Sequence, residues 1–343
     1  MTRIIFPLIL ATAALVSSPA AAQAVEIAND APDVHVVVPG DTLWSISGRF
    51  LREPWRWPEV WRLNSEQISN PHLIFPGQVI MLDRSGPYLT LGQRITSDQR
   101  LSPRVIDEPI ESAIPSIPVH LIAPFLTRPL VVDERNMADA GTVVATETSR
   151  VIMGSGDIIF AKNVVPGDPN WQVVRPAQPL VDPVTRETLG YEAAFLGNAR
   201  VTEYGTPATL RISDAAEEIG TGDLLVQMDP PRVFSYVPHP APVDLEGRVI
   251  SLPRGVVETG RHNVITLNVG GHDGIDEGHV VALYRNRGNV VFKEPNARRG
   301  ETFVLPEHRY GLAFVFRVFN RVSYALVMDA DGPVTIGDSV RTP

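Results

Sequence analysis

The hydrophobic pattern of this chain changes period several times. Ile4 to Val16 is an apolar run. After a short polar lead-in, Val34 to Val38 is rich in β-branched residues and stops at Pro39-Gly40, which predicts a strand closed by a turn. Leu43, Ile46 and Phe50 then recur at helical spacing, with Asp41 or Thr42 placed to cap the helix. A second short helix fits Pro58 to Leu63. Pro58 suits the first helical position, and Glu59 favours the positive end of the helix dipole. Asn64 and the polar residues after it end that helix. Asn70-Pro71 and Pro76-Gly77 mark turns, and Gln78 to Leu82 reads as a closing strand. The predicted unit is β-α-α-β over residues 34–83.

Residues 84–112 mix Gly, Pro, Ser and charge without sustained periodicity and read as a linker. Beyond them, short β-branched runs alternate with Gly, Pro and Asp. Pro230, Pro231, Pro238, Pro240 and Pro242 divide this region, giving a first β module at 113–229, a Pro-rich linker at 230–246 and a second module at 247–343. The two modules read as repeats of one plan. Gly141-Thr142-Val143-Val144 opens one and Gly247-Arg248-Val249-Ile250 the other. Gly156-Asp157-Ile158 in the first is paired with Gly278-His279-Val280 in the second. Tyr191 to Tyr204 is paired with Tyr310 to Tyr324, and Gly222-Asp223 with Gly337-Asp338. Asp182-Pro183-Val184-Thr185 reads as a hairpin turn. The fold class expected is α+β and mainly β: the βααβ unit followed by two small antiparallel barrels or sandwiches.

Composition narrows the function. Arg3, the apolar run and Ala20-Ala21-Ala22-Gln23-Ala24 have the form of a secretory signal peptide within residues 1–24, cleaved after Ala22 or Ala24. The apolar run is too short to span a membrane, and no later run approaches the ~20 residues needed. With no Cys, the chain has no disulfide, thiol nucleophile or lipoprotein anchor. Its 30 basic and 39 acidic residues give a net charge of −9, against the basic footprint a nucleic-acid partner needs.

The residues V-V-V-P-G-D-T-L-W-S-I at 36–46 with their flanks, Leu63-Asn64, and N-P-x-x-I-x-P-G-Q-x-I at 70–80 resemble, in order, the lysin motif (LysM) family of sugar-binding modules. The resemblance implies recognition of N-acetylglucosamine glycans such as peptidoglycan. It places the sugar in a shallow groove between the first strand–helix loop (Gly40, Asp41, Thr42, Leu43) and the loop before the last strand (Asn70, Leu73, Ile74). Backbone N–H groups at the helix start would bond an N-acetyl carbonyl, and an apolar floor would take its methyl. One such groove implies an affinity between roughly micromolar and millimolar, about −8 to −4 kcal/mol. The link between the two helices is longer than the family minimum, and the extra residues fall in R-E-P-W-R-W-P at 52–58.

That link poses a question of its own. Three of the five tryptophans, Trp55, Trp57 and Trp61, fall within residues 52–64, and a fourth, Trp44, lies just upstream. They form either a sugar-stacking platform or a local core. Trp57 and Trp61, four residues apart, favour packing on one helix face. Trp44 lies nearer the groove, and Trp55 is expected to be exposed towards a protein partner.

The β modules resemble the C-terminal β domain of flagellar assembly protein T in their G-x-I start, DP-T hairpin and GD ending. The module order looks like that of exported proteobacterial LysM proteins. No recognised catalytic signature appears: no H-E-x-x-H, S-x-x-K, K-T-G or G-x-S-x-G. His272 and His279, beside Asp273 and Asp276, read as part of a turn, as does Asp329-Ala330-Asp331-Gly332. No metal, cofactor or catalytic residue is assigned. The sequence therefore predicts a non-catalytic exported protein, periplasmic and bound to the cell wall, with the cell surface or secretion as the alternative location. Its partners are peptidoglycan, or another N-acetylglucosamine glycan, and an unknown envelope protein. The alternatives are a murein hydrolase with a distant carboxylate pair and a structural part of an envelope assembly.

Overall fold

Thr42 sets the start of the first helix through a reciprocal pair of side-chain bonds. Its Oγ1 accepts from Ser45 N at 3.0 Å, and Ser45 Oγ accepts from Thr42 N at 2.9 Å. This capping box satisfies two donors that a helix end leaves orphaned. The computed structural model of the chain describes residues 25–63, 74–84, 88–92, 113–126, 131–132, 137, 140–147, 152–227, 237–252, 256–285, 287–293 and 299–343. The expected signal segment, 1–24, lies outside them.

The N-terminal unit contains β1 (Val34–Val36), α1 (Leu43–Phe50), a 3₁₀ turn at Pro54–Arg56, α2 (Trp57–Leu63) and β2 (Val79–Asp83). Strands β1 and β2 pair antiparallel, His35 opposite Ile80. The βααβ order is the one expected. The supposed linker contributes more than expected: Tyr88–Gly92 forms β3, antiparallel to β2. Leu89 is fully buried with Leu43, Ile46, Phe50, Trp57, Val60, Ile74 and Ile80. Then α3 (Val119–Leu126) carries V-H-L-I-A-P-F-L and packs through one side, with Ile122 fully buried and Val119, His120, Ala123 and Pro124 exposed.

Both β modules are closed barrels. The first uses β5 (Gly141–Thr146), β6 (Ile158–Lys162), β7 (Asn170–Val181), β8 (Thr188–Glu203), β9 (Ala208–Ala215) and β10 (Leu224–Gln227); β4 (Val131–Val132) adds to β8 outside the ring. Around the ring the order is β5-β6-β9-β8-β7-β10, closing on β5, every pair antiparallel.

The second barrel is preceded by β11 (His239–Pro240), which runs parallel to β15. Its ring strands are β12 (Glu246–Ser251), β14 (Val264–Leu267), β15 (His279–Arg285), β18 (His308–Val318), β19 (Ser323–Ala330) and β21 (Ser339–Arg341). Short β13 (Glu258–Thr259) pairs with β20 (Val334–Thr335), and β16 (Asn289–Phe292) with β17 (Glu301–Val304) as a hairpin inserted between β15 and β18. The ring order is β12-β14-β19-β18-β15-β21, again antiparallel and closing on β12.

Numbered within each barrel, the two orders are identical, so the modules are repeats. The correspondence reaches single bonds. Val143 N donates to Asp223 O at 2.9 Å and Gly222 N to Val143 O at 2.8 Å; Val249 N donates to Asp338 O and Gly337 N to Val249 O at the same distances. Gly197 and Gly311 occupy one position in the fourth strands, each beside a bulge. Two sequence pairings need correcting. Gly156-Asp157 leads into the second strand of its barrel, whereas Gly278-His279 leads into the third strand of the other. Tyr191 to Tyr204 follows one strand, β8, while Tyr310 to Tyr324 crosses from β18 into β19. Gly-polar turns recur at several corners, so a shared turn signal does not fix register. The Asp182 turn does join β7 to β8 as a hairpin.

Alternation along β18 and β19 explains how the parts join. Ala313, Val315, Ala325 and Val327 point into the second barrel. Leu312, Phe314, Phe316, Tyr324, Leu326 and Met328 point outwards, yet they are buried. They meet Trp44 and Trp55 from the N-terminal unit, Ile117, Ile122 of α3, and Leu180 and Leu189 from the hairpin of the first barrel. Strands buried on both faces read as continuous apolar runs, which is what L-A-F-V-F and Y-A-L-V-M are. Polar links border this junction. Arg321 bonds Glu187 through both nitrogens at 2.5 and 2.9 Å, and Asn268 Nδ2 donates to Asp182 at 2.7 Å.

Candidate functional site

The two loops expected to border the groove are built differently. On one side, Gly40 takes φ +95°, a left-handed conformation that glycine adopts without a Cβ penalty. The turn it allows brings Asp41 back beneath the strand. Asp41 Oδ2 accepts from Val38 N at 3.0 Å and meets His35 Nε2 at 2.9 Å. Asp41 and Thr42 are both buried. Their side chains are therefore committed to shaping the loop and capping α1. Leu43 begins the helix, fully buried as part of the groove floor.

The opposite side is held by Pro76-Gly77-Gln78. Gly77 N donates to Val37 O at 2.7 Å and Val37 N to Gln78 O at 2.9 Å, while Gln78 Oε1 accepts from Phe75 N at 2.9 Å. This network fixes Ile74, whose side chain is fully buried and whose carbonyl is free of the sheet. Asn70 and Leu73, the other residues expected here, lie outside the described residues. Of the expected residues that are described, Leu43 and Ile74 share one buried cluster, and Gly40, Asp41 and Thr42 form the loop leading into Leu43.

What the groove offers a ligand is mostly backbone. The capping box occupies Thr42 N and Ser45 N, leaving the Leu43 and Trp44 N–H groups at the first two helical positions. Across from them stands the Ile74 carbonyl. Two donors facing an acceptor over an apolar floor complement an amide, whose carbonyl accepts and whose N–H donates.

Sequence reasoning missed one participant. Residues 114–116 lie across the groove: Ile114 N donates to Ile74 O at 2.8 Å, and Leu43 N and Trp44 N donate to Pro115 O and Ser116 O at 3.0 and 3.1 Å. Ile114 is buried in the core of the N-terminal unit. The signal available was Ile114-Pro115-Ser116-Ile117-Pro118, since each proline drives the residue before it towards extended backbone. Nothing in it names the surface this segment packs against.

Among the described residues, the tryptophan rings of the N-terminal unit pack elsewhere. Trp57 is in the core of the N-terminal unit. Trp44 and Trp55 are both buried in the central cluster against the second barrel. The expectation that Trp55 is exposed is therefore corrected: the 3₁₀ turn at Pro54–Arg56 drives its indole into the domain junction. The side chain of Trp61 lies outside the described residues. Elsewhere, His279 is buried with its Nδ1 accepting from Asp276 N at 2.8 Å and its ring 4.4 Å from that of His239. Burial, more than the neighbouring His239, pushes its pKa down. Asp329 ion-pairs with Arg261 at 3.1 Å.

Comparison with known proteins locates the recognisable part of the chain. Residues 35–82 match the LysM domain. Over 61 residues the chain is 34% identical to the uncharacterized protein YqbP of Bacillus subtilis (strain 168). That match covers 15% of this chain and only 28% of the relative's length. No helix among the described residues is long and apolar enough to cross a membrane.

Proposed function

We propose, taking the LysM domain at residues 35–82 as premise, that this chain is a non-catalytic exported protein that binds peptidoglycan in the cell envelope. The LysM domain implies peptidoglycan binding and suggests association with the cell wall. The observation that supports the site assignment is that the Leu43 and Trp44 N–H groups and the Ile74 carbonyl all bond one short segment, residues 114–116. An acetamido group of N-acetylglucosamine fits that pattern: its carbonyl takes the helix donors, its N–H takes Ile74 O, and its methyl meets the Leu43–Ile74 floor. The ligand-binding residues proposed are Gly40, Asp41, Thr42, Leu43, Asn70, Leu73 and Ile74. Gly40, Asp41 and Thr42 act by shaping the loop.

The two barrels act as a scaffold and partner-binding surface. The buried junction around Phe314 and Phe316 supports this reading, because it makes the LysM domain part of a larger body instead of a free tether. One groove gives weak binding by itself, so firm retention on the wall needs several copies or a second contact.

Pelleting with purified peptidoglycan sacculi tests the proposal. The full mature chain should co-sediment, and a chain lacking residues 34–82 should stay in solution. Equal pelleting of both would contradict the assignment. In a zymogram the protein should leave the peptidoglycan intact; a cleared zone would point instead to a murein hydrolase.

A further inference from the structure

We infer that residues 114–117 form an intramolecular latch that closes the LysM groove, and that glycan enters by displacing it. The inference rests on the glycan-binding reading above and adds how that site is regulated.

The latch reproduces the chemistry the groove is suited to. Pro115 O and Ser116 O take the Leu43 and Trp44 donors, and Ile114 N takes the Ile74 acceptor. With Thr42 N and Ser45 N already bonded within the capping box, the helix start has no other outward donor to offer. Three peptide groups of the chain itself, 113–114, 115–116 and 116–117, therefore hold the bonds an acetamido group would need, and the two cannot be bound together.

The segment is pinned at both ends by side chains facing opposite ways. Ile114 enters the LysM core with Leu43 and Ile74. Ile117, three residues on, is fully buried in the central cluster with Trp44, Trp55 and Phe314. Pro115 and Pro118 restrict the residues before them, Ile114 and Ile117, the chain bends at residues 116–117, and Pro118 O then accepts from Leu121 N at the start of α3. The latch lies well outside the matched domain, at 35–82. It belongs to the connection towards the barrels, so groove occupancy and the seating of α3 on the second barrel are mechanically joined. The apparent affinity of the groove is its intrinsic affinity reduced by the fraction of molecules with the latch open.

The test titrates the full mature protein with a soluble β-1,4-linked N-acetylglucosamine hexamer, comparing the wild type with Ile114→Ser. The substitution removes the latch's anchor and should tighten binding at least about tenfold. A second measurement needs no variant: hydrogen exchange of wild-type backbone amides. Glycan should speed exchange at Ile114, which loses its acceptor, while Leu43 and Trp44 stay protected by the acetamido carbonyl. Unchanged affinity in Ile114→Ser, or glycan binding with Ile114 still protected, overturns the latch and leaves the glycan reading standing. Failure of both proteins to bind at millimolar hexamer overturns the glycan reading and the latch's role with it.

Discussion

Trp44 meets Phe314 edge-on, with ring centroids 6.5 Å apart and planes at 77°. The backbone N–H of the same tryptophan belongs to the groove. One residue thus bonds Ser116 at the proposed binding site with its main chain and packs the domain junction with its side chain.

Truncating either junction tryptophan should loosen the LysM domain from the second barrel. Trp44→Ala and Trp55→Ala each leave a cavity in the central cluster, at a cost of about 3–5 kcal/mol. Calorimetry should show a melting transition of the wild type split into two, with the LysM part released first. Trp55→Ala should still pellet with sacculi, because its ring is remote from the Leu43–Ile74 floor; lost pelleting would restore the sugar-platform reading of these tryptophans.

The internal repeat makes a paired prediction. A Cβ at Gly197 would lie 2.3 Å from Asp214 O, and one at Gly311 would lie 2.5 Å from Asp329 O. These are backbone contacts, so no side chain can swing away to relieve them. Gly197→Ala and Gly311→Ala should each destabilise their barrel by about 1–3 kcal/mol or more. Gly222→Ala and Gly337→Ala have open space around the new Cβ and carry only the left-handed backbone penalty, about 1–2 kcal/mol. Urea midpoints should rank each pair in that order in both barrels.

Asp182 ties the barrels together in a pH-dependent way. Burial pushes its pKa up, but hydrogen bonds from Asn268, Thr185 and Val184 outweigh that and hold it below the ordinary 3.8. A depressed carboxyl contributes stability that is complete above its unfolded pKa and is lost as pH falls through the lower, native value. Stability should therefore drop on acidification below about pH 4, and Asp182→Asn should lack that component. Asn268 cannot turn its oxygen round to help the variant, because Asn268 Oδ1 already accepts from Arg248 N at 2.5 Å. Two amide donors then face each other, at a cost of about 1–3 kcal/mol at neutral pH. Denaturation curves of both proteins from neutral to acid pH would show the difference.

The sequence made the N-terminal fold legible because its signals were local. Leu43, Ile46 and Phe50 share a helix face, Thr42 caps it, and Gly40 and Gly77 mark tight turns. Barrel closure was not legible, since it depends on pairings such as β8 with β9 and β15 with β21 that no short window contains. The repeat was visible at Gly222-Asp223 and Gly337-Asp338, where the same turn does the same work, and misread at Gly156 and Gly278, where it does not. Trp55 was misplaced for a related reason. Its surroundings in sequence are charged and Pro-rich, and the apolar partner that buries it, the outer face of β18, is more than 250 residues away. The residues expected at the groove were chosen from local motifs, while the segment that bonds Leu43, Trp44 and Ile74 comes from a connection whose local composition named no target.

The most direct test of where glycan sits is backbone amide chemical-shift mapping of the deuterated mature protein during titration with the N-acetylglucosamine hexamer. We expect the largest changes at Leu43, Trp44 and Ile114, with smaller ones at Gly40, Asp41 and Ile74, saturating between roughly micromolar and millimolar ligand. Changes centred on the Trp55–Trp57 side of the domain or on the barrels, or no change at millimolar hexamer, would contradict the account.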